Sequence, residues 1–169
     1  MPTINHHLVE IALGRTDGSS FEKFCQAFFA ALTGAGFVPL GGHHDGGAEA
    51  FDEPEVFEAK ADNFWQVSIE KTVRSKIRRT VNRLKEFGRN PRQLTYCTSL
   101  VVPKLDGEED LLSEELNVHI RIRDQKYILS HINHSNQTVE AFNSYLGPHL
   151  SFLKPANGPY GAVGQPGAF

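Results

Sequence analysis

Phe64-Trp65-Gln66-Val67-Ser68-Ile69 decides the fold. Aromatic and β-branched side chains dominate it, Gly and Pro are absent, and it reads as a central strand. One polar amide, Gln66, lies among Trp65, Val67 and Ile69. A polar side chain in a buried strand has to find a partner, which marks Gln66 as a candidate functional residue. A helix follows almost at once, over Thr72–Gly88. Val73, Ile77, Val81 and Leu84 form its apolar stripe, the basic residues fall largely outside that stripe, and Gly88 is suited to end it.

Downstream, Gln93–Val102 reads as a strand stopped by Pro103, and Asp106–Leu116 as a helix with acidic residues at its start, where the helix dipole favours them. Val118–Ile122 alternates as VHIRI, a strand with one wet face. Asp124–Ile132 and Gln137–Leu153 read as closing helices. Upstream, Val56–Ala59 and Ala48–Phe51 read as strands and Phe37–Leu40 as a short edge strand. The first helix is expected from Ser19, where Ser19 and Glu22 fit a capping box. Phe21, Phe24, Cys25, Phe28, Phe29 and Leu32 share one face of it, and Gly34 and Gly36 end it. This order predicts an α/β fold, a three-layer sandwich around one mixed central sheet. The domain is expected to cover residues 1–153. Residues 154–169, rich in Gly and Pro, are expected to be a linker or tail leading to further domains of a longer chain.

Composition narrows the function classes. The chain has 169 residues, 40% hydrophobic and 22% charged, which is globular and excludes wholesale disorder. No apolar stretch approaches the ~20 residues of a membrane span. The N-terminus lacks the basic-then-apolar order of a signal peptide. Cys25 and Cys97, the only cysteines, both lie in apolar runs, which argues against a disulfide framework or a Cys-based zinc site. A cytoplasmic protein is expected. The net charge of −3 would not suggest nucleic acid, but its distribution does. Between Lys71 and Arg92 stand nine of the 17 basic residues, against the single acid Glu86. Asp45–Glu58 carries Asp45, Glu49, Asp52, Glu53, Glu55 and Glu58 with no Lys or Arg. An acidic block beside a basic one is the pattern of carboxylates that hold a metal next to a surface that holds phosphate.

The glycine-rich turn His44-Asp45-Gly46-Gly47-Ala48-Glu49, then Gln66-Val67-Ser68, then the Lys/Arg-rich helix resemble, in order and spacing, the PD-(D/E)XK or restriction-endonuclease-like nucleases, in the style of Mrr-type restriction enzymes. The resemblance runs from about Ser19 to Ile132. It implies a Mg²⁺-dependent endonuclease, with Mn²⁺ able to substitute, acting on double-stranded DNA. Similar domains head bacterial anti-phage proteins, so an effector of bacterial defence is implied; a homo-oligomer is among the partner arrangements expected. Glu49 would be the metal carboxylate and Asp45 a second ligand or turn former. Gln66 would fill the (D/E/Q) position, and Glu22 would match the first-helix acid. The chemistry is coherent in its own right. Phosphodiester hydrolysis needs an activated water and a clamp on a developing anion, and Mg²⁺ held by oxygen ligands supplies both. Arg74, Arg78, Arg79 and Arg83 would hold the nucleic-acid backbone by charge alone.

One departure stands out. The pattern's lysine, two residues after the (D/E/Q) position on the same strand face, is Ser68 here. A lysine moved to the following helix would restore the cation. Lys76, one residue before the stripe residue Ile77, is the first choice and Lys71 the second. If neither serves, the chain is a degenerate nuclease fold that only binds nucleic acid or a protein partner. His43 and His44 read as loop residues, and His131 and His134 as structural or surface residues.

Overall fold

The computed structural model describes residues 3–34, 38–39, 56–60 and 62–153. Its helices are α1 (His6–Arg15), α2 (Gly18–Thr33), α3 (Val73–Glu86), α4 (Leu105–Leu116), α5 (Gln125–His131) and α6 (Asn136–Tyr145), with a 3-10 helix at Gly147–Leu153. Its strands are β1 (Val38–Pro39), β2 (Val56–Lys60), β3 (Asn63–Ser68), β4 (Gln93–Thr98) and β5 (His119–Arg123). The protein is α/β, with a mixed open sheet and helices, and divides into two compact units: residues 1–35 with 125–169, and residues 36–124.

The first unit is helical. Helix α1 was not anticipated. Asn5 starts it by accepting a hydrogen bond from the His7 backbone N–H at 2.8 Å, and Val9, Ala12 and Leu13 bury its face. Helix α2 also starts differently from the expected Ser19–Glu22 capping box. Asp17 is the cap, and its carboxylate accepts from the Ser20 N–H at 2.7 Å. That bond holds the Asp17 carboxyl below its ordinary range. Phe24 and Phe28 stack at 5.1 Å, and Phe28 meets Phe29 edge-on at 5.0 Å. Asn133 ties the unit's two chain segments together: it accepts from the Ile4 N–H at 2.7 Å and donates to the Ile4 carbonyl at 3.1 Å. His131 stacks on Tyr127 with ring centres 4.2 Å apart.

The second unit is the sheet with α3 and α4. The strand order is β1-β2-β3-β4-β5, with β1, β2 and β3 antiparallel in sequence and β3, β4 and β5 parallel. Helix α3 connects β3 to β4, and α4 connects β4 to β5. Both crossovers step across the sheet in the same direction, so the right-handed rule puts both helices on one face. The core agrees: Ile77, Val81 and Leu84 of α3 and Leu112 and Leu116 of α4 cluster with Phe64, Leu94, Tyr96, Ile120 and Ile122. Strand β4 is shorter than the expected Gln93–Val102, because the Thr98 hydroxyl accepts from the Leu100 N–H at 3.1 Å and turns the chain. Strand β5 alternates as its sequence requires, with His119 and Arg121 exposed and Ile120 and Ile122 buried. It is an edge strand, and α4 covers that edge. Ser113 accepts from the Ile120 N–H at 2.9 Å and Glu109 from the Ile122 N–H at 2.7 Å, which blunts edge-to-edge pairing. Leu84 is fully buried at the centre of this core. Leu84→Ala should lower stability by about 2–5 kcal/mol, read from urea unfolding midpoints. A loss well under 1 kcal/mol would contradict this packing.

Candidate functional site

Strand β3 sets the site. Its alternation puts Phe64, Gln66 and Ser68 on one face. Phe64 belongs to the core that α3 and α4 complete, so Gln66 and Ser68 face the same helices. Register puts Gln66 between Val56 of β2 and Tyr96 of β4. Gln66 is fully buried, and neither its amide nitrogen nor its oxygen has a hydrogen-bond partner among the described residues. Leaving both atoms unpaired costs about 1–3 kcal/mol each. No described residue offsets that cost, and a bound ligand would.

Ser68, at the expected lysine position, has a local task. Its buried hydroxyl accepts from the Glu70 N–H at 3.0 Å, a turn that closes β3. Strand alternation therefore stops before Glu70, and the Glu70 carboxylate turns to α3. Its Oε2 lies 3.5 Å from Lys76 Nζ and 3.8 Å from the Arg79 guanidinium. The Lys76 side chain is only 7% exposed, unusual for a lysine, while that of Glu70 is 49% exposed. Full burial of Ile77 fixes the rotation of α3 that draws Lys76 inward.

Lys71 is placed elsewhere. It lines a groove of about 520 Å³ with Thr72, Arg74, Ser75, Val102 and Lys104, beyond the carboxyl ends of β3 and β4. Ligands of open α/β sheets collect at such ends. The two candidate lysines thus serve different places, Lys76 the end of β3 and Lys71 the groove.

The cations of α3 are partly engaged by α4. Arg74 makes two hydrogen bonds to Glu108, at 2.7 and 2.6 Å, and Arg78 two to Glu115, at 2.7 and 2.8 Å. These bonds raise the pKa of both arginines and lower those of both carboxyls. With depressed carboxyl values, the pairs stabilise the fold above the ordinary carboxylate range, and their contribution is lost as pH falls through the lowered values. The Arg83 guanidinium lies 5.8 Å from the centre of the Phe87 ring. Three of the four arginines assigned to phosphate, Arg74, Arg78 and Arg79, therefore have carboxylate competitors. Replacing Glu108 and Glu115 by Gln should steepen the salt dependence of duplex binding. Neutralising Arg74, Arg78 and Arg79 should flatten it by ~0.9 per lost phosphate contact. Anisotropy titrations at several salt concentrations measure both, and unchanged slopes in both variants would remove α3 from the interface.

Asp45, Glu49, His43 and His44 lie outside the described residues, as does the 154–169 segment. Glu22 lies half-buried on α2 of the first unit, so the described site is built from the second unit alone. Among the described residues no three His, Cys, Asp or Glu side chains gather as a metal site. No described helix is long and apolar enough to cross a membrane. The sequence reading gave no role to Glu70, Lys104, Glu108 or Glu115. Glu70 was the most accessible of these, since a serine at a strand end commonly turns the chain. No protein-family model matches the chain, and no curated protein matches it either.

Proposed function

We propose that the chain is a metal-dependent endonuclease of the restriction-endonuclease-like, three-layer kind, cutting DNA at the carboxyl end of β3. The observation that carries the reading is the Gln66 amide, fully buried without a described partner, on the sheet face that also receives the nearly buried Lys76. The Gln66 Oε1 atom suits Mg²⁺, a hard cation that takes oxygen ligands. When bound, such an ion lowers the pKa of water and neutralises charge on the phosphoryl group. Gln66 would hold it, joined by Glu49 and Asp45 on the strength of the resemblance. Lys76 would orient the transferring phosphoryl group and offset its growing negative charge. Lys71, Arg79 and Lys104 would meet neighbouring phosphates. The resemblance, rather than the geometry, extends the proposal to a cytoplasmic effector of bacterial defence with further domains.

A second reading is a binding module that does not cut. It is favoured by Ser68, whose hydroxyl is committed to a turn where the resemblance expects lysine. A labelled duplex separates the two. The nuclease yields shortened strands with Mg²⁺ or Mn²⁺ and none with EDTA, whereas the module shifts the duplex and leaves it intact under all three conditions.

A further inference from the structure

The groove beyond the carboxyl ends of β3 and β4 carries more positive charge than its own residues balance. Three cations line it, Lys71, Arg74 and Lys104, against the single carboxylate of Glu108, which leaves two positive charges. Glu108 is committed to Arg74 by two hydrogen bonds, at 2.7 and 2.6 Å. Lys71 and Lys104 are exposed, and neither side chain has a hydrogen bond or ion pair among the described residues. One wall of the groove is aliphatic, formed by Val101, Val102 and Pro103, and Val101 is 44% exposed. Apolar surface rimmed by cations suits an amphipathic anion. The volume of about 520 Å³ lies within the ~300–1,000 Å³ of small-molecule sites, room for one nucleotide and too little for a double helix. A phosphodiester inside a strand carries one negative charge, whereas a phosphomonoester carries ~1.5–2 near neutral pH. The surplus matches the monoester, and the aliphatic wall matches the flat face of a base. A phosphate or sugar phosphate alone would leave that wall in water.

We propose that this groove binds a nucleotide ending in a phosphomonoester, with Lys71 and Lys104 holding the phosphate and Val101 and Pro103 lying against the base. The nucleotide is either free or the phosphorylated end of a strand. Phosphodiester hydrolysis makes such an end: water adds to phosphorus, one P–O bond breaks, and one strand leaves with a hydroxyl and the other with a phosphomonoester. The strand-end source rests on the nuclease reading; the ligand class rests on the groove.

Thermal unfolding of the whole chain against AMP tests this, with ribose 5-phosphate, adenosine and sodium chloride at matched ionic strength as references. A ligand that binds only the folded state raises the midpoint as its concentration passes its dissociation constant. AMP should reach half its effect at a concentration roughly tenfold or more below that of either fragment. Lys71→Gln with Lys104→Gln should abolish the AMP increment. Val101→Ser should move the AMP half-effect towards that of ribose 5-phosphate. Arg121→Gln with Lys126→Gln removes the same charge outside the groove and should change nothing. An AMP response no stronger than that to ribose 5-phosphate overturns the proposal, as does one that survives the double lysine variant, or no AMP response at all. A short single strand with and without a 5′-phosphate separates the sources. An advantage of the phosphorylated strand places a strand end in the groove, and a response confined to AMP places a free nucleotide there. Cleavage of DNA is a separate readout. The AMP pattern in a protein that never cuts would sink the nuclease reading and leave the nucleotide site standing. Cutting without that pattern would do the reverse.

Discussion

Lys76→Ala lowers the turnover of duplex DNA by ~10²-fold or more and changes duplex affinity little. The loss is that of a contact made chiefly as charge grows in the transition state. The ammonium is in position for this. It comes from α3, is almost wholly buried, and lies 3.5 Å from the carboxylate of Glu70, two residues beyond the end of β3. Affinity for long DNA is spread over many cations, so removing one buried amine barely moves it. Lys76→Met keeps the side-chain length while removing the charge, and the Glu70 carboxylate it leaves is half in solvent, so an unfolding midpoint measured in parallel separates fold from chemistry. Lys71→Ala is the control. Lys71 lines the groove, so its loss should weaken binding and leave the rate at saturation nearly unchanged. Wild-type turnover in Lys76→Ala with a dead Lys71→Ala would reverse the assignment of the two lysines.

Gln66→Met abolishes cleavage and makes the protein more stable in EDTA. Both amide atoms of Gln66 are buried without a hydrogen-bond partner among the described residues, between Val56 and Tyr96 on a face otherwise built of Phe64, Leu94 and Ile122. Methionine is close in volume, flexible and without a polar atom, so it removes the desolvation cost and keeps the packing. The expected gain is about 1–3 kcal/mol, the scale for an unsatisfied buried polar group. A gain in stability bought with activity identifies a functional polar residue, because a structural one loses both. Metal dependence follows the same logic: Mn²⁺ should raise the unfolding temperature of the wild type and leave that of Gln66→Met unchanged. Destabilisation by Gln66→Met would show that the amide is a structural hydrogen-bonding group.

The legible parts of the chain are those where one periodicity holds along a whole element. The strand around Gln66, the stripe of α3 and the alternation of β5 follow from residue spacing, and the structure reproduces them. The missed parts turn on single hydrogen bonds. Asp17 displaces Ser19 as the cap of α2 because its carboxylate reaches the Ser20 N–H, and a capping box two residues further on looks equally good in sequence. The expected helix Gln137–Leu153 breaks into α6 and a 3-10 turn where Gly147 and Pro148 interrupt it, a proline signal that was there to be read. In the site, Gln66 and Lys76 were legible, the first as a polar residue in an apolar strand, the second by its place beside Ile77. Glu70 was missed because the Ser68 turn that ends β3 and directs it was not read from the serine at the strand end. The pairs Arg74–Glu108 and Arg78–Glu115 join residues 34 and 37 positions apart on two helices, and no local spacing encodes them.

The central claim is that this sheet end hydrolyses phosphodiester bonds through Gln66 and Lys76. The most direct measurement is conversion of supercoiled plasmid by wild type, Gln66→Met and Lys76→Ala purified in parallel, each with Mg²⁺ and with EDTA. Nicked and linear plasmid are expected with Mg²⁺ only, at the full rate for the wild type, at about one per cent of it or less for Lys76→Ala, and not at all for Gln66→Met. Intact plasmid with the wild type under Mg²⁺, or equal cutting by all three proteins, would contradict it.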